Sequence, residues 1–209
     1  MTYKFDAGIC LNCDLFKARG AQVKIVDGRG NPSASVWFIG EAPGKQEEAQ
    51  GEPFVGASGK ILQSAIELIG LDEGSYFVTN VVLCRPSDAH GNNRPPTHAE
   101  KDVCCLHLKF QLKDFKPMLV VTLGSHALEC FLGQSRSDNA RITKITGTLI
   151  DQYFVNETYK VFVMMHPAAT LYNPKLKDRW DRDVFRLKEI ISSLVADRLS
   201  GGGGSADSS

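Results

Sequence analysis

The chain has 209 residues, enough for a sizeable core, and its 43% hydrophobic and 23% charged content are those of a globular protein rather than a disordered or fibrous one. Its 24 basic residues balance 24 acidic ones, so bulk charge announces no nucleic-acid partner; such a partner needs a local basic face. No apolar run could span a bilayer and none follows the first charges as in a signal peptide, so a cytoplasmic protein is expected, in which six cysteines call for a use other than structural disulfides.

Cys10-Leu11-Asn12-Cys13 comes first, a spacing that can put two thiolates on one metal but is shared by redox pairs and chance pairs. Residues 22–28 alternate and end in a turn signal, which predicts a short strand, with residues 28–32 as a loop. Val36, Trp37, Phe38 and Ile39 form an unbroken apolar run, the pattern of a strand buried on both faces. Residues 40–59 follow, a loop with five glycines, two prolines, four glutamates and Phe54. Glycine lets backbone come close to a ligand, and a loop at the carboxyl end of a strand is where open α/β sheets bind theirs. Ser58 is the expected N-cap of the next helix, with Ile61, Leu62, Ala65, Ile66 and Ile69 on one face and Gly70 as its stop.

Residues 76–82 read as a second strand with the polar Asn80 near its end. Cys84 and a polar loop lead to Thr97, which with Glu100 forms a capping-box pattern for a helix carrying Cys104 and Cys105. Residues 118–124 predict a third buried strand. Ser125 opens a helix that contains Cys130 and is closed by Gly133. Residues 149–155 and 159–165 read as a hairpin turning at 156–158, and His166-Pro167 follows directly. Residues 181–199 predict a last amphipathic helix with Val184, Leu187, Ile190, Ile191 and Leu194 inward. Strands alternating with helices predict an α/β fold, a mainly parallel sheet with helices on both faces and hence a three-layer α/β/α sandwich. Residues 1–199 are expected to form a single domain. Residues 200–209 read as a flexible Gly/Ser tail, a cloning remnant or a linker to a further domain.

Two constellations can carry chemistry. Cys10, Cys13, Cys84 and Cys104 can fasten the N-terminal segment to both ends of the long polar loop through a metal or cluster; thiolates suit zinc and iron–sulfur centres alike. Cys105 is a possible substitute ligand, and Cys130 is expected to pack in the core. His166 ends a strand beside the loop of residues 40–59, and the apolar Leu171 and Tyr172 beyond it can wedge into a base stack.

GEAPG at 40–44, GEPFVGASG at 51–59, a strand ending in Asn80 and HPAATLYNP at 166–174, in that order, resemble the uracil-DNA glycosylase superfamily over about residues 8–195. The four-cysteine grouping is similar to that of its family 4. The resemblance implies a [4Fe–4S] cluster on Cys10, Cys13, Cys84 and Cys104, in preference to zinc, and a fold with a four-stranded parallel sheet between helices. It implies hydrolysis of the N-glycosidic bond of deoxyuridine in single- or double-stranded DNA, releasing uracil and leaving an abasic site, by a monomer with no membrane partner. Phe54 would stack on the flipped uracil, Asn80 would pair with its edge, and His166 would stabilise charge on the leaving base. Gly40 and Ala42 would border the base, with backbone N–H groups of residues 40–44 assisting. Ala42 stands where the best-known members have aspartate, which leaves Glu41 and Glu47 as candidates for positioning water. Glu41 is preferred, Glu47 alternatively crowding the C5 side of the base. Glu48 and Glu52 are expected to be solvated. Leu171 matches the wedge position, while Tyr172 departs from the arginine common there. Arg85, Arg94, Lys175 and Lys177 are candidate phosphate contacts. The alternative is a non-catalytic uracil- or DNA-binding domain of a phage replication protein such as a DNA polymerase.

Overall fold

A computed structural model describes residues 7–19, 24–132 and 144–201. Its six-stranded sheet comprises β1 (Gly28–Gly30), β2 (Val36–Gly40), β3 (Tyr76–Asn80), β4 (Leu119–Leu123), β5 (Thr148–Phe154) and β6 (Glu157–Met164), in the spatial order β1-β3-β2-β4-β6-β5. The four inner strands are parallel, and β1 and β5 add antiparallel edges. The expected parallel core is therefore present, extended by one strand on each side.

The unbroken apolar runs have a direct cause. Along β2, Trp37 and Ile39 point to one face, where Leu108 and Leu112 of α5 (His98–Phe115) and Leu128 of α6 (Ser125–Leu132) cover them. Val36 and Phe38 point to the other, against Leu62 and Ile66 of α4 (Ala57–Ile69) and Trp180, Val184 and Leu187 of the last helix. A strand covered on both faces has no solvated side on which to alternate. Two short N-terminal helices, α1 (Ala7–Cys10) and α2 (Asp14–Arg19), precede the sheet; α3 (Lys45–Gln50) lies in the loop after β2. After β6 come α7 (Ala168–Tyr172), a 3₁₀ turn (Pro174–Leu176) and α8 (Lys177–Gly201).

Thr97 and Glu100 make the expected capping box, and Gly70 ends α4 at φ 91°. Several expectations are corrected. Gln22 and Val23 lie outside the described residues, Ile25 makes only an isolated bridge with Cys84, and the strand falls at Gly28–Gly30, in the stretch expected as a loop. Gly30 sits at φ 86° with Tyr76 close by, so the edge strand is set by backbone fit rather than by side-chain pattern. Gly56, not Ser58, caps α4. The hairpin turns on two residues, Val155 and Asn156, at φ 52° and 63°. A β-branched residue rarely adopts positive φ, which is why the sequence pattern assigns Val155 to the strand. Helix α8 starts earlier than expected, behind an Asn173 cap and Pro174, and extends into the segment read as linker. Gly133, expected to close α6, lies outside the described residues, as do residues 202–209.

Candidate active site

Parallel pairing puts the carboxyl ends of β2, β3, β4 and β6 on one edge of the sheet, with Gly40 in register with Asn80 and Leu123 with Met164. A cavity of about 350 Å³ opens there. Ala42, Glu47, Phe54, Asn80, His166, Leu171 and Tyr172 all border it. Residues more than 120 positions apart in the chain thus converge as the sequence suggests.

Phe54 is buried and adopts φ 57°, a strained setting for a non-glycine residue. Two glycines permit it. A Cβ on Gly59 would overlap the Phe54 carbonyl, and one on Gly40 would lie 2.5 Å from both the Phe54 ring and Asn80 Oδ1. The Phe54 and His166 rings are 5.8 Å apart and 28° from parallel. Glu47 anchors the loop: its carboxylate accepts from the N–H groups of Gly44 (3.1 Å), Val55 (3.0 Å) and Gly56 (2.8 Å). Both its oxygens are engaged in fixing the wall that carries Phe54.

His166 accepts the Ala168 N–H on Nδ1 at 3.2 Å, so the proton of a neutral ring sits on Nε2. Burial pushes its pKa down from 6.5 to about 4, with Glu47 opposing and His126 reinforcing the shift. The ring is therefore a neutral donor near pH 7. The unfolded chain takes up this proton below pH 6.5 and the folded chain only near pH 4. The stability due to the neutral ring is thus present above pH 6.5 and lost as pH falls toward 4. Urea unfolding should show the wild type losing up to about 3 kcal/mol more than His166→Gln over that window.

Glu41 does not border the cavity. It lies one residue from Ala42, on the side where α6 begins, with its Oε1 3.9 Å from His126 Nε2. Burial raises its pKa, His126 and Lys101 counter this, and Glu129 adds to it. Asn80 is almost fully buried at the end of β3, while Leu171 and Tyr172 on α7 are 48% and 89% exposed at the cavity rim.

Cys10, Cys13, Cys84 and Cys104 are not joined in disulfides, and all four are buried. They come from α1, the turn just before α2, the loop after β3, and α5. Burial pushes the Cys104 thiol pKa up, and the proximity of Cys84, Cys10 and Cys13 adds to the shift. Cys104 also accepts the Leu83 N–H at 3.3 Å, and Cys10 Sγ lies 3.4 Å from His107 Nε2. Among the described residues, no three His, Cys, Asp or Glu are arranged to hold a single metal ion. Cys105 is bonded to Cys130, which removes it as a substitute ligand; Cys130 does pack against the core, partly buried, but as half of a disulfide, which corrects the expectation that no cysteine serves in a structural disulfide.

Residues 28–187 match the family model of the uracil DNA glycosylase superfamily. The chain belongs to that superfamily. A Type-4 uracil-DNA glycosylase of Sulfurisphaera tokodaii is 37% identical over 87% of this chain and 80% of its own length. A Type-4 uracil-DNA glycosylase of Archaeoglobus fulgidus is 36% identical over 87% of each chain. A DNA polymerase of Bacillus phage SP01 is 27% identical over 82% of this chain but only 17% of its own length.

Within this superfamily member the long loop after Cys84 is folded on its own arginines. Arg85, nearly buried, donates to Asn93 Oδ1 (2.6 Å), Glu48 (3.1 Å) and the Gly91 carbonyl (2.6 Å). Arg94 grips Glu100 with both terminal nitrogens. These two are committed to the loop rather than offered to phosphate. Glu48 is correspondingly part of a packed pair rather than solvated, whereas Glu52 is exposed as expected. Lys45 and Asn93 also border the cavity, and sequence reasoning missed both. No spacing signals Asn93, since its place depends on how the loop folds back onto Arg85.

Proposed function

We propose that this chain is a uracil-DNA glycosylase that hydrolyses the N-glycosidic bond of deoxyuridine in DNA, releasing uracil and leaving an abasic site. The observation that carries the reading is the convergence of Phe54, Asn80 and a neutral, Nε2-protonated His166 on one cavity. A flipped pyrimidine stacks on Phe54, and the Asn80 amide donates to O4 and accepts from N3–H. Cytosine presents the opposite donor and acceptor at those atoms.

The bond between N1 and C1′ breaks with its electron pair passing to the base. His166 donates to O2 as that charge develops, a stabilisation worth more in the transition state than in the ground state. Water adds to C1′, its hydroxyl stays on the sugar, and the proton it gives up is balanced, through solvent, by the one the departing uracil anion takes up at nitrogen. Glu41 stands beside the base cavity rather than inside it, where sugar and water belong, and its carboxylate stabilises the oxocarbenium-like sugar and orients the water. Glu47 shapes the wall of the base site. The abasic product left in the oligonucleotide is cleaved by alkali, and an oligonucleotide that stays intact under low salt would contradict the reading.

The four thiols Cys10, Cys13, Cys84 and Cys104 fit a [4Fe–4S] cluster: they are buried, close enough to perturb one another, and one accepts a backbone N–H of the kind that tunes cluster sulfurs. A single zinc ion needs four sulfurs about 2.3 Å from one centre, whereas a cluster takes one thiolate per iron and so spreads its ligands. When bound, such a group would fasten the N-terminal segment to the loop. Purified protein is expected to be brown with broad absorbance near roughly 400 nm, lost in Cys84→Ser; a colourless zinc protein would contradict this.

Leu171 acts as the wedge that fills the gap left by the flipped base, with Tyr172 beside it. Its expected signature is selective: Leu171→Ala should lower activity roughly 10-fold on duplex DNA and hardly at all on single strands, where no stack opposes extrusion. Lys45, exposed at the cavity, and Lys175, exposed three residues beyond Tyr172, are the phosphate contacts we favour, with Lys177 sharing its charge with Asp181. Helices among the described residues cover both faces of the one sheet, which supports reading residues 1–199 as a single glycosylase domain; the cytoplasm is the compartment we favour for it. The phage polymerase similarity favours a second reading, a DNA-binding module of a replication protein, which binds uracil-DNA without releasing base.

A further inference from the structure

Helix α6 begins directly after β4, at the same sheet edge as the cavity. Its His126 is not explained by base recognition. Nε2 of the ring faces Glu41 Oε1 at 3.9 Å, and Nδ1 faces Glu129 Oε2 and Lys101 Nζ, each at 3.3 Å. Lys101, buried on α5, also pairs with Glu129. The ring is thus fixed on its Nδ1 side by two charged groups from two helices, leaving Nε2 as the edge presented to Glu41. The Cys105–Cys130 disulfide joins the same two helices, one turn along α5 from Lys101 and next to Glu129 on α6. The crossing that holds the imidazole is therefore stapled covalently and by charge.

We propose that His126, held by Glu129 and Lys101, is the positioning residue that orients the Glu41 carboxylate for the glycosidic step. This rests on the reading that Glu41 acts on the sugar and water. A half-buried carboxylate with no fixed partner samples several rotamers, and a misplacement of about 1 Å at a reacting centre can cost roughly 100-fold in rate. With its Nδ1 edge engaged by Lys101 and Glu129, the ring holds its Nε2 edge 3.9 Å from the carboxylate, and that electrostatic contact favours the Glu41 rotamer facing it. The charged groups facing Glu41 are Lys101 from α5 and His126 and Glu129 from α6, and His166 beyond β6 interacts with His126.

The test is single-turnover kinetics on a single-stranded deoxyuridine oligonucleotide for wild type, His126→Ala, His126→Gln, Glu41→Gln and the double variant Glu41→Gln with His126→Ala, each with a thermal unfolding curve. His126→Ala is expected to lower kcat roughly 10- to 100-fold with KM unchanged. Burial raises the Glu41 pKa and His126 counters it, so removing the ring should raise that pKa further and move the acid limb of the kcat profile to higher pH. His126→Gln retains an N–H donor and should recover part of the rate. The double variant should be no slower than Glu41→Gln alone, because His126 acts through that carboxylate. Wild-type kcat in His126→Ala beside a slow Glu41→Gln would overturn the proposal while leaving the Glu41 reading intact, as would multiplicative effects in the double variant. Wild-type kcat in Glu41→Gln is a different pattern: the reading itself fails and the proposal falls with it.

Discussion

His166→Ala is expected to lower kcat for uracil release by roughly 10²–10³-fold with little change in substrate affinity. The size follows from the ring's chemistry. It is neutral near pH 7, with its proton fixed on Nε2 by the Ala168 N–H at Nδ1, so it is a preorganised donor rather than a cation that would bind the ground state as well. In the proposed mechanism its contribution belongs to the transition state, where O2 becomes an anion. The rate of the wild type should therefore show no inflection from His166 near pH 6.5, the ordinary histidine value, and should lose the neutral ring only toward pH 4. Single-turnover base release as a function of pH reads both effects. A His166→Ala rate within a few-fold of wild type would remove the electrostatic part of the mechanism.

Gly40→Ala should be at least as damaging by a steric route. The added methyl would lie 2.5 Å from the Phe54 ring and 2.5 Å from Asn80 Oδ1. Neither neighbour can yield cheaply, because both are buried and Phe54 already adopts a strained φ. The Phe54 ring and the Asn80 amide would be displaced together, and on the proposed roles the expected loss is at least roughly 100-fold in kcat/KM. Gly51→Ala is the control: it has open space around it, and its φ of 78° gives it strain without touching the cavity. Activity surviving Gly40→Ala would mean that the cavity tolerates a shift the packing argument forbids.

The inner sheet was legible because it is buried on both faces. Apolar runs such as Val36 to Ile39 and Leu119 to Val121 are explained by that burial, and their carboxyl ends located the site. Phe54, Asn80 and His166 were legible through the motifs around them. The edge strand Gly28–Gly30 was not, since it is held by backbone pairing with β3 and by glycine geometry that leave no hydrophobic pattern. The two-residue turn at Val155 and Asn156 was hidden for a similar reason, a backbone conformation its first residue disfavours. The network behind Glu41 was invisible because Lys101, His126 and Glu129 meet only when α5 crosses α6. Likewise, Arg85 and Arg94 look like free cations in sequence, and only the folded loop reveals their partners.

Central to the account is that one cavity, walled by Phe54, Asn80 and His166, selects and releases uracil. The most direct measurement is chromatographic quantification of free base from matched single-stranded oligonucleotides carrying deoxyuridine, deoxycytidine or thymidine at one position, with wild type and Asn80→Ala in parallel at low salt. The account predicts stoichiometric free uracil from the first substrate, none from the other two, and a rate at least roughly 100-fold lower in Asn80→Ala. No free uracil from wild type, or release in Asn80→Ala at the wild-type rate, would contradict it.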